Sequence, residues 1–321
     1  MKRILALILG ALMIASCTAC NKGESGSPDT GKVKTEDAVN TIQLITGTGE
    51  TLEFDKDTYD TIISESHPVV LLYYGDENKY PKLNSALEDN NKSEKEYLLE
   101  FIDKNKDFAT ERFLEDGEYF HPFESTVTPY IRRADTLVTS ILYYGYEFTG
   151  GVHGNYYYHG KNYDTKTGKE LTLSEVITDK EKLAQAVSEQ LDKYWSDADL
   201  NESVDIAEII NDETAISWIL DYNGITICFM PYSIASYASG AQIVTISNEE
   251  YPDVLKAEYK KLPSSYGIEL AKDAPFYYDV TGDGVVDEIF AGGYESNEGD
   301  SGCIDITVNG KSFEEEEWFY G

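Results

Sequence analysis

Residues 146–171 read YEFTGGVHGNYYYHGKNYDTKTGKEL, and the fold turns on how this stretch is parsed. Two aromatic, apolar runs flank a short segment holding two glycines and a histidine. Gly150 and Gly151 permit positive φ or a close backbone approach, so a β-bulge or sharp bend between two strands is expected there. Tyr156, Tyr157 and Tyr158 restart an extended segment, because aromatic side chains suit a half-buried pleated surface. Residues 164–168 (DTKTG) then supply an aspartate able to bond the turn backbone and a glycine for the left-handed position. That loop leads to Leu171, Leu173 and Val176, where a new unit begins.

Upstream the pattern is mainly β: NTIQLIT, TLEF and TIISESHPVVLLYYG, with Pro68 interrupting the last. Tyr80-Pro81-Lys82-Leu83 opens a helix in which Tyr97, Leu98 and Phe101 recur at helical spacing, joined by Ile102, Phe108 and Phe113. Two long strands follow near 119–132 and 137–148, with a turn at 133–136 (RADT). Downstream, Thr178 or Asp179 caps a second helix, whose Leu183, Val187 and Leu191 fall four apart with Trp195 beyond. Strands at 216–220 and 225–230 enclose Tyr222-Asn223-Gly224, and the Asn-Gly pair signals a hairpin. The loop PYSIASYASG precedes a last strand, QIVTIS. This order predicts an α+β fold of two small domains, each an antiparallel sheet plus helix, at 38–155 and 156–262. A carboxy-terminal β appendage takes 263–321.

The amino terminus predicts export. Lys2 and Arg3 precede an apolar run at 4–14 and then Ala15-Ser16-Cys17, the order of a secretory signal, and the run is too short to span a bilayer. Ile14-Ala15-Ser16-Cys17 resembles the lipobox of bacterial lipoproteins, which makes 1–16 the signal peptide and Cys17 the lipidated residue. Cys20 is a poorer site, since Cys17 would then stand where an aliphatic residue belongs; an ordinary cleaved signal is the plainer alternative. Residues 17–37 are rich in Gly, Ser, Pro and charge and read as a flexible tether. The expected location is the outer face of the bacterial cytoplasmic membrane, reached only through the lipid anchor.

Acidic residues number 59 against 26 basic ones, for a formal net charge of −33. Such a surface repels nucleic acid and anionic head groups and speeds encounter with cationic partners. Solubility alone would also account for it. Of the two cysteines beyond the signal region, Cys228 lies in the apolar run ITICFM and reads as a core thiol, without a bridge to Cys303.

Tyr80-Pro81-x-Leu83, TGGVHGN, NYDTKTGKELTLSEVI and FMPYSIASYASGAQIVTIS together resemble one family, in its motif order, over residues 80–250. It is the pair of extracytoplasmic domains found in RsiV-like lysozyme-sensing anti-sigma factors and in the amino-terminal part of PdaC-like peptidoglycan deacetylases. The resemblance implies an α+β fold and a binding role. Val152 stands where the family has Ala, and Ser247 where it often has Pro. No anti-sigma segment precedes the signal, and the paired-aspartate and HxxxH motifs of a deacetylase are missing. The implied function is therefore non-catalytic: a surface protein binding peptidoglycan or a cationic protein such as lysozyme. A wall-active hydrolase or a purely structural module is the alternative.

Gly150, Gly151, His153 and Asn155 are the candidate motif residues, in a structural or ligand-binding role. His153 and His159 lack a recognisable metal spacing, His67 and His121 precede prolines as loop residues do, and Ser239 sits in YASGA, not in GxSxG. The tyrosines could stack on sugar rings or simply pack a sheet. Residues 279–287 (DVTGDGVVD) resemble the front of an EF-hand-type Ca²⁺ loop. Asp279, Thr281, Asp283 and Asp287 would give side-chain oxygens, Val285 its carbonyl, and Gly284 the tight wrap. Phe290 stands where a bidentate Glu would close an EF-hand, so the loop is closer to the shortened calcium loops of extracellular β repeats. A metal-free Asp-Gly turn is the alternative.

Overall fold

The computed structural model describes residues 38–49, 62–196, 200–201, 204–213, 216–269, 275–278, 280, 287–295 and 302–313. Strand β1 (Leu44–Thr48) pairs with β3 (Pro68–Leu72) in a two-stranded ribbon, while β2 (Ile63–Ser66) joins a different sheet. Pro68 thus marks a change of sheet. His67, at that corner, lies in the link between the two strands, as its place before Pro68 implied, and is buried beside Glu65.

After the short α1 (Asp76–Lys79), α2 runs over Pro81–Asp116. Pro81 opens it at a position where a missing N–H costs nothing. Leu83, Leu87, Asn90, Glu94, Leu98 and Phe101 form its buried stripe, spaced three and four apart. A 3₁₀ turn (Gly117–Tyr119) leads to the long strands β4 (Phe123–Ala134), β5 (Val138–Phe148) and β6 (Asn155–Asp164). The first sheet has the order β2-β4-β5-β6, and β2 runs parallel to β4. That one parallel pair departs from the expected all-antiparallel sheet. The long connection through α2 is what allows it.

The chain turns later than RADT implies. Arg133 and Ala134 stay in β4, and Asp135 makes the turn by accepting the Leu137 and Val138 N–H groups at 2.7 and 2.9 Å. Arg133 is fully buried, pairs with Asp135 at 2.7 Å, and donates to the carbonyls of Tyr259 and Lys261. It thereby ties the chain leaving the second sheet to the first. A register shift in β4 between Ile131 and Arg133 is where the bulge lies.

Thr172 and Glu175 form a capping box on α3 (Leu173–Val176), and Asp179 caps α4 (Lys180–Tyr194) by accepting from Glu181 and Lys182 N–H. The short α5 (Ile206–Asn211) precedes the second sheet, β7 (Ser217–Leu220), β8 (Gly224–Phe229) and β9 (Gln242–Ser247), joined in that order. The boundary expected at 155/156 falls where β6 starts. Since β6 completes the first sheet, the change of unit comes after Asp164.

Packing stacks four layers. One face of the first sheet buries Val127, Ile141, Tyr143 and Tyr163 against Leu83 and Leu87 of α2. On its other face Leu142 meets Ile219 and Cys228 of the second sheet. The second sheet's far face packs Leu220, Ile225, Ile227 and Phe229 onto Leu183, Val187 and Leu191 of α4. Between the sheets, Asn162 bridges β6 and β7: its Oδ1 accepts the Leu220 N–H and its Nδ2 donates to the Trp218 carbonyl, both at 2.9 Å.

The appendage is a four-stranded antiparallel sheet of β10 (Pro275–Tyr278), β11 (Asp287–Glu295), β12 (Gly302–Val308) and β13 (Lys311–Phe313). Ile289, Ile306 and Val308 pack with Tyr222 and Tyr266, whose rings stack at 4.0 Å.

Candidate functional site

The loop between β5 and β6 is a sharp bend, and the ladder beside it runs without a shift from Glu147↔Asn155 to Val138↔Asp164. Gly150 has φ +81°, and a Cβ there would come within 2.9 Å of the Phe123 ring. At Gly154 a Cβ would collide with the outer end of the Tyr146 ring, which lies over this glycine. Gly151 meets neither constraint. Val152 is fully exposed at the tip.

The same bend lies against the loop 231–241, about eighty residues on. His153 stacks on Tyr237 with ring centroids 4.1 Å apart, and its Nδ1 lies 2.9 Å from the Gly154 carbonyl. A carbonyl only accepts, so the proton is placed on Nδ1. Tyr237 also donates to that carbonyl at 2.5 Å, and the Tyr156 hydroxyl accepts the Ala241 N–H at 2.9 Å. Two motifs singled out in the sequence, TGGVHGN and PYSIASYASG, are therefore one structure. Asn155 is exposed at the first position of β6, opposite Glu147, outside this set of contacts.

From this junction a line of rings runs onto the first sheet. Tyr232 lies 5.4 Å from Tyr237, Tyr237 6.2 Å from Tyr156, Tyr156 6.1 Å from Tyr144, and Tyr144 5.3 Å from Tyr158. Paired residues of neighbouring strands share a face. Glu124–Phe148, Thr126–Tyr146–Tyr156 and Thr128–Tyr144–Tyr158 are thus three rows of one face. The second sheet reaches that face at Tyr130, Leu142 and Tyr158, which pack with Ile219 and Cys228. Beside the Glu124–Phe148 and Thr126–Tyr146 rows an open recess of about 440 Å³ is lined by Ser64, His121, Pro122, Glu124, Tyr146 and Phe148.

The opposite face carries a polar network that the sequence reading missed. Glu94 of α2 pairs with His159 at 3.0 Å, His159 stacks on Tyr143 at 4.6 Å, and the Tyr143 hydroxyl accepts from Asn90 at 2.9 Å. Tyr97 donates to Glu147 at 2.6 Å; burial and this carboxylate push its phenol up to about 12. The available signal was Asn90 and Glu94 standing in line with Leu87 and Leu98 on the apolar stripe of a helix.

Cys228 is fully buried, and burial raises its thiol to about 12, which removes it as a nucleophile at neutral pH. Of the calcium-loop residues, Asp279, Thr281, Asp283 and Val285 lie outside the described residues, as does Cys17. Asp287 is buried; its Oδ2 accepts the Val280 N–H at 3.0 Å and its Oδ1 the Asn309 amide at 2.7 Å. Among the described residues no three or more His, Cys, Asp or Glu gather as a metal site.

Residues 169–249 match a family described as a protein of unknown function, DUF3298. Among solved structures, a DUF3298-family member from Bacteroides fragilis NCTC 9343 is similar at 20% identity and TM-score 0.51, over 69% of this chain and 98% of that one. A DUF3298-family protein from Pseudomonas aeruginosa PAO1 is similar at 17% identity and TM-score 0.45, over 70% and 98% respectively. No curated protein matches the chain. At such identity the likeness to the Bacteroides fragilis structure is one of fold, and the α+β expectation stands on it and on the layers above. The matched segment contains the second motif loop, and the bend at 149–155 lies outside it.

Proposed function

We propose that the chain is a lipid-anchored, non-catalytic surface protein of the RsiV-like and PdaC-like kind, binding a cell-wall or lysozyme-like ligand outside the cytoplasmic membrane. The observation that carries this reading is the junction of the two motif loops, which frames a line of partly exposed aromatic rings. Rigid, amphipathic tyrosines bind at low entropic cost, as they do in other recognition surfaces. His153 supports a structural role in that frame, because one ring face and Nδ1 are already engaged. The net charge of −33 favours encounter with a cationic protein. The amino terminus supports anchoring at Cys17.

The reading extends to a Ca²⁺ ion in the 279–287 loop, whose last acidic residue, Asp287, is buried and accepts the Val280 N–H.

The test is binding of the chain to lysozyme and to purified peptidoglycan at low and high salt. Saturable binding to at least one is expected, with the lysozyme arm weakening as salt rises. Lack of binding to both removes the reading. Cys17→Ser should release the protein from the membrane fraction, and retention would remove the anchor.

A further inference from the structure

The amino-terminal half of β6 is tied down by the stretch 230–241, and the chain enters that stretch at Met230. β6 ends its sheet, and over its outer edge the Tyr158 N–H donates to the Met230 sulfur at 3.0 Å, where a ladder would place a carbonyl. Two further ties come from the same stretch. The Ala241 N–H donates to the Tyr156 hydroxyl at 2.9 Å, and the Tyr237 hydroxyl donates to the Gly154 carbonyl at 2.5 Å. Met230 is half-buried and packs against the cluster of Leu142, Ile219 and Cys228 between the two sheets. Its carbonyl accepts the Ser233 N–H at 3.0 Å, and Tyr232 between them has φ +71°, so the course of the loop is set directly from Met230. The chain's other methionines, Met1 and Met13, lie in the signal stretch.

We infer that Met230 is an oxidation-sensitive clamp: conversion of its thioether to the sulfoxide frees the edge of β6 from the loop 231–241 and opens the junction of the two motif loops. The oxidant is a peroxide supplied from outside. A sulfur lone pair attacks one peroxide oxygen and the O–O bond breaks. The sulfur is oxidised by two electrons to the sulfoxide, and the displaced hydroxide takes up the proton and leaves as water. At 3.0 Å no oxygen atom fits between the sulfur and the Tyr158 nitrogen. Added on any other side, the oxygen leaves an electron-poor sulfur facing the positive end of an N–H, so an acceptor becomes a repelling centre. Where that oxygen meets Leu142, Ile219 and Cys228 it is also a polar group in apolar surroundings. Either way the Tyr158 N–H loses its acceptor, which costs free energy at the edge of the sheet. Cys228 does not compete for the oxidant, because it is fully buried and burial holds it as the thiol. Methionine sulfoxide reductases return the thioether, so the clamp is reversible.

The experiment treats the full-length chain in detergent with millimolar hydrogen peroxide and follows it by peptide mass spectrometry and amide hydrogen exchange. The peptide carrying Met230 should gain the mass of one oxygen. Exchange across 154–158 and 231–241 should then speed up roughly tenfold, while the β4–β5 ladder keeps its protection. Treatment with methionine sulfoxide reductases should reverse both changes. Met230→Leu, a swap of similar volume that cannot take up oxygen, should show no peroxide response in these segments, whatever its starting exchange. Three results overturn the inference: Met230 left unoxidised where a free methionine peptide is fully converted, Met230 oxidised with exchange unchanged, or the same peroxide response in Met230→Leu. The first two need only the wild-type chain, so they hold even if the variant folds poorly. None of these outcomes depends on what the surface binds.

Discussion

Tyr143 and Tyr144 are adjacent in β5 and meet opposite fates. Tyr143 points to α2, is fully buried, stacks on His159 and bonds Asn90. Tyr144 points to the other face and stays partly open among Tyr156 and Tyr158. The same alternation divides β6, where Tyr157 and His159 lie under the helix side while Tyr158 meets the second sheet and Tyr156 the loop 231–241. One face is packed under a helix and the other stays partly open. An aromatic strand does not by itself declare which is which.

The sharpest way to break this comparison is to truncate both residues. Tyr143→Ala should cost about 3–5 kcal/mol, since it leaves a cavity and strips Asn90 of its partner, whereas Tyr144→Ala should cost about 1 kcal/mol. Urea denaturation of the two variants measures both. Equal losses would show that the open face is as much a core as the helix face.

A smaller effect probes what holds the closed face. Glu94→Ala leaves His159 without its carboxylate under α2 and should cost about 1–2 kcal/mol. His159→Ala should cost a similar amount, and the double variant less than the sum, since the pair is in contact. Strict additivity in that cycle would mean that the pair, though close, contributes nothing of its own.

The smallest expected effect lies in the appendage. Ca²⁺ bound only to the folded loop should raise the stability of this part by on the order of 1 kcal/mol at millimolar concentration, with magnesium a poor substitute. Asp283→Ala should remove the increment and leave the main layers unchanged. Identical melting of wild type and Asp283→Ala in calcium and in chelator would make the loop a turn.

Much of this architecture was legible. Pro81 and the spaced leucines marked α2, Asp179 marked the start of α4, Asn223-Gly224 marked the β7–β8 hairpin, and Asp164 with Gly168 marked the turn after β6. Each is a local device acting within a few residues, so its signal is local too. The parallel pairing of β2 with β4, the boundary after Asp164 and the burial of His67 were not legible. They depend on which distant strand lies alongside, and the chain carries no short-range code for that.

The candidate site divides in the same way. Glycines and tyrosines in TGGVHGN and PYSIASYASG identified both loops, but their union through His153, Tyr237, Tyr156 and Gly154 needs the first sheet to hold β6 beside the second. The sequence by itself determined the elements, their order, the acidic character of the chain and the two aromatic faces of β6, because period and turn chemistry are properties of neighbours along the chain. The tertiary structure alone decided which aromatic face α2 would cover and which would stay open. That choice is made by the packing of whole layers, where apolar area is removed from water, and two equally aromatic faces differ in nothing until a helix is laid on one of them.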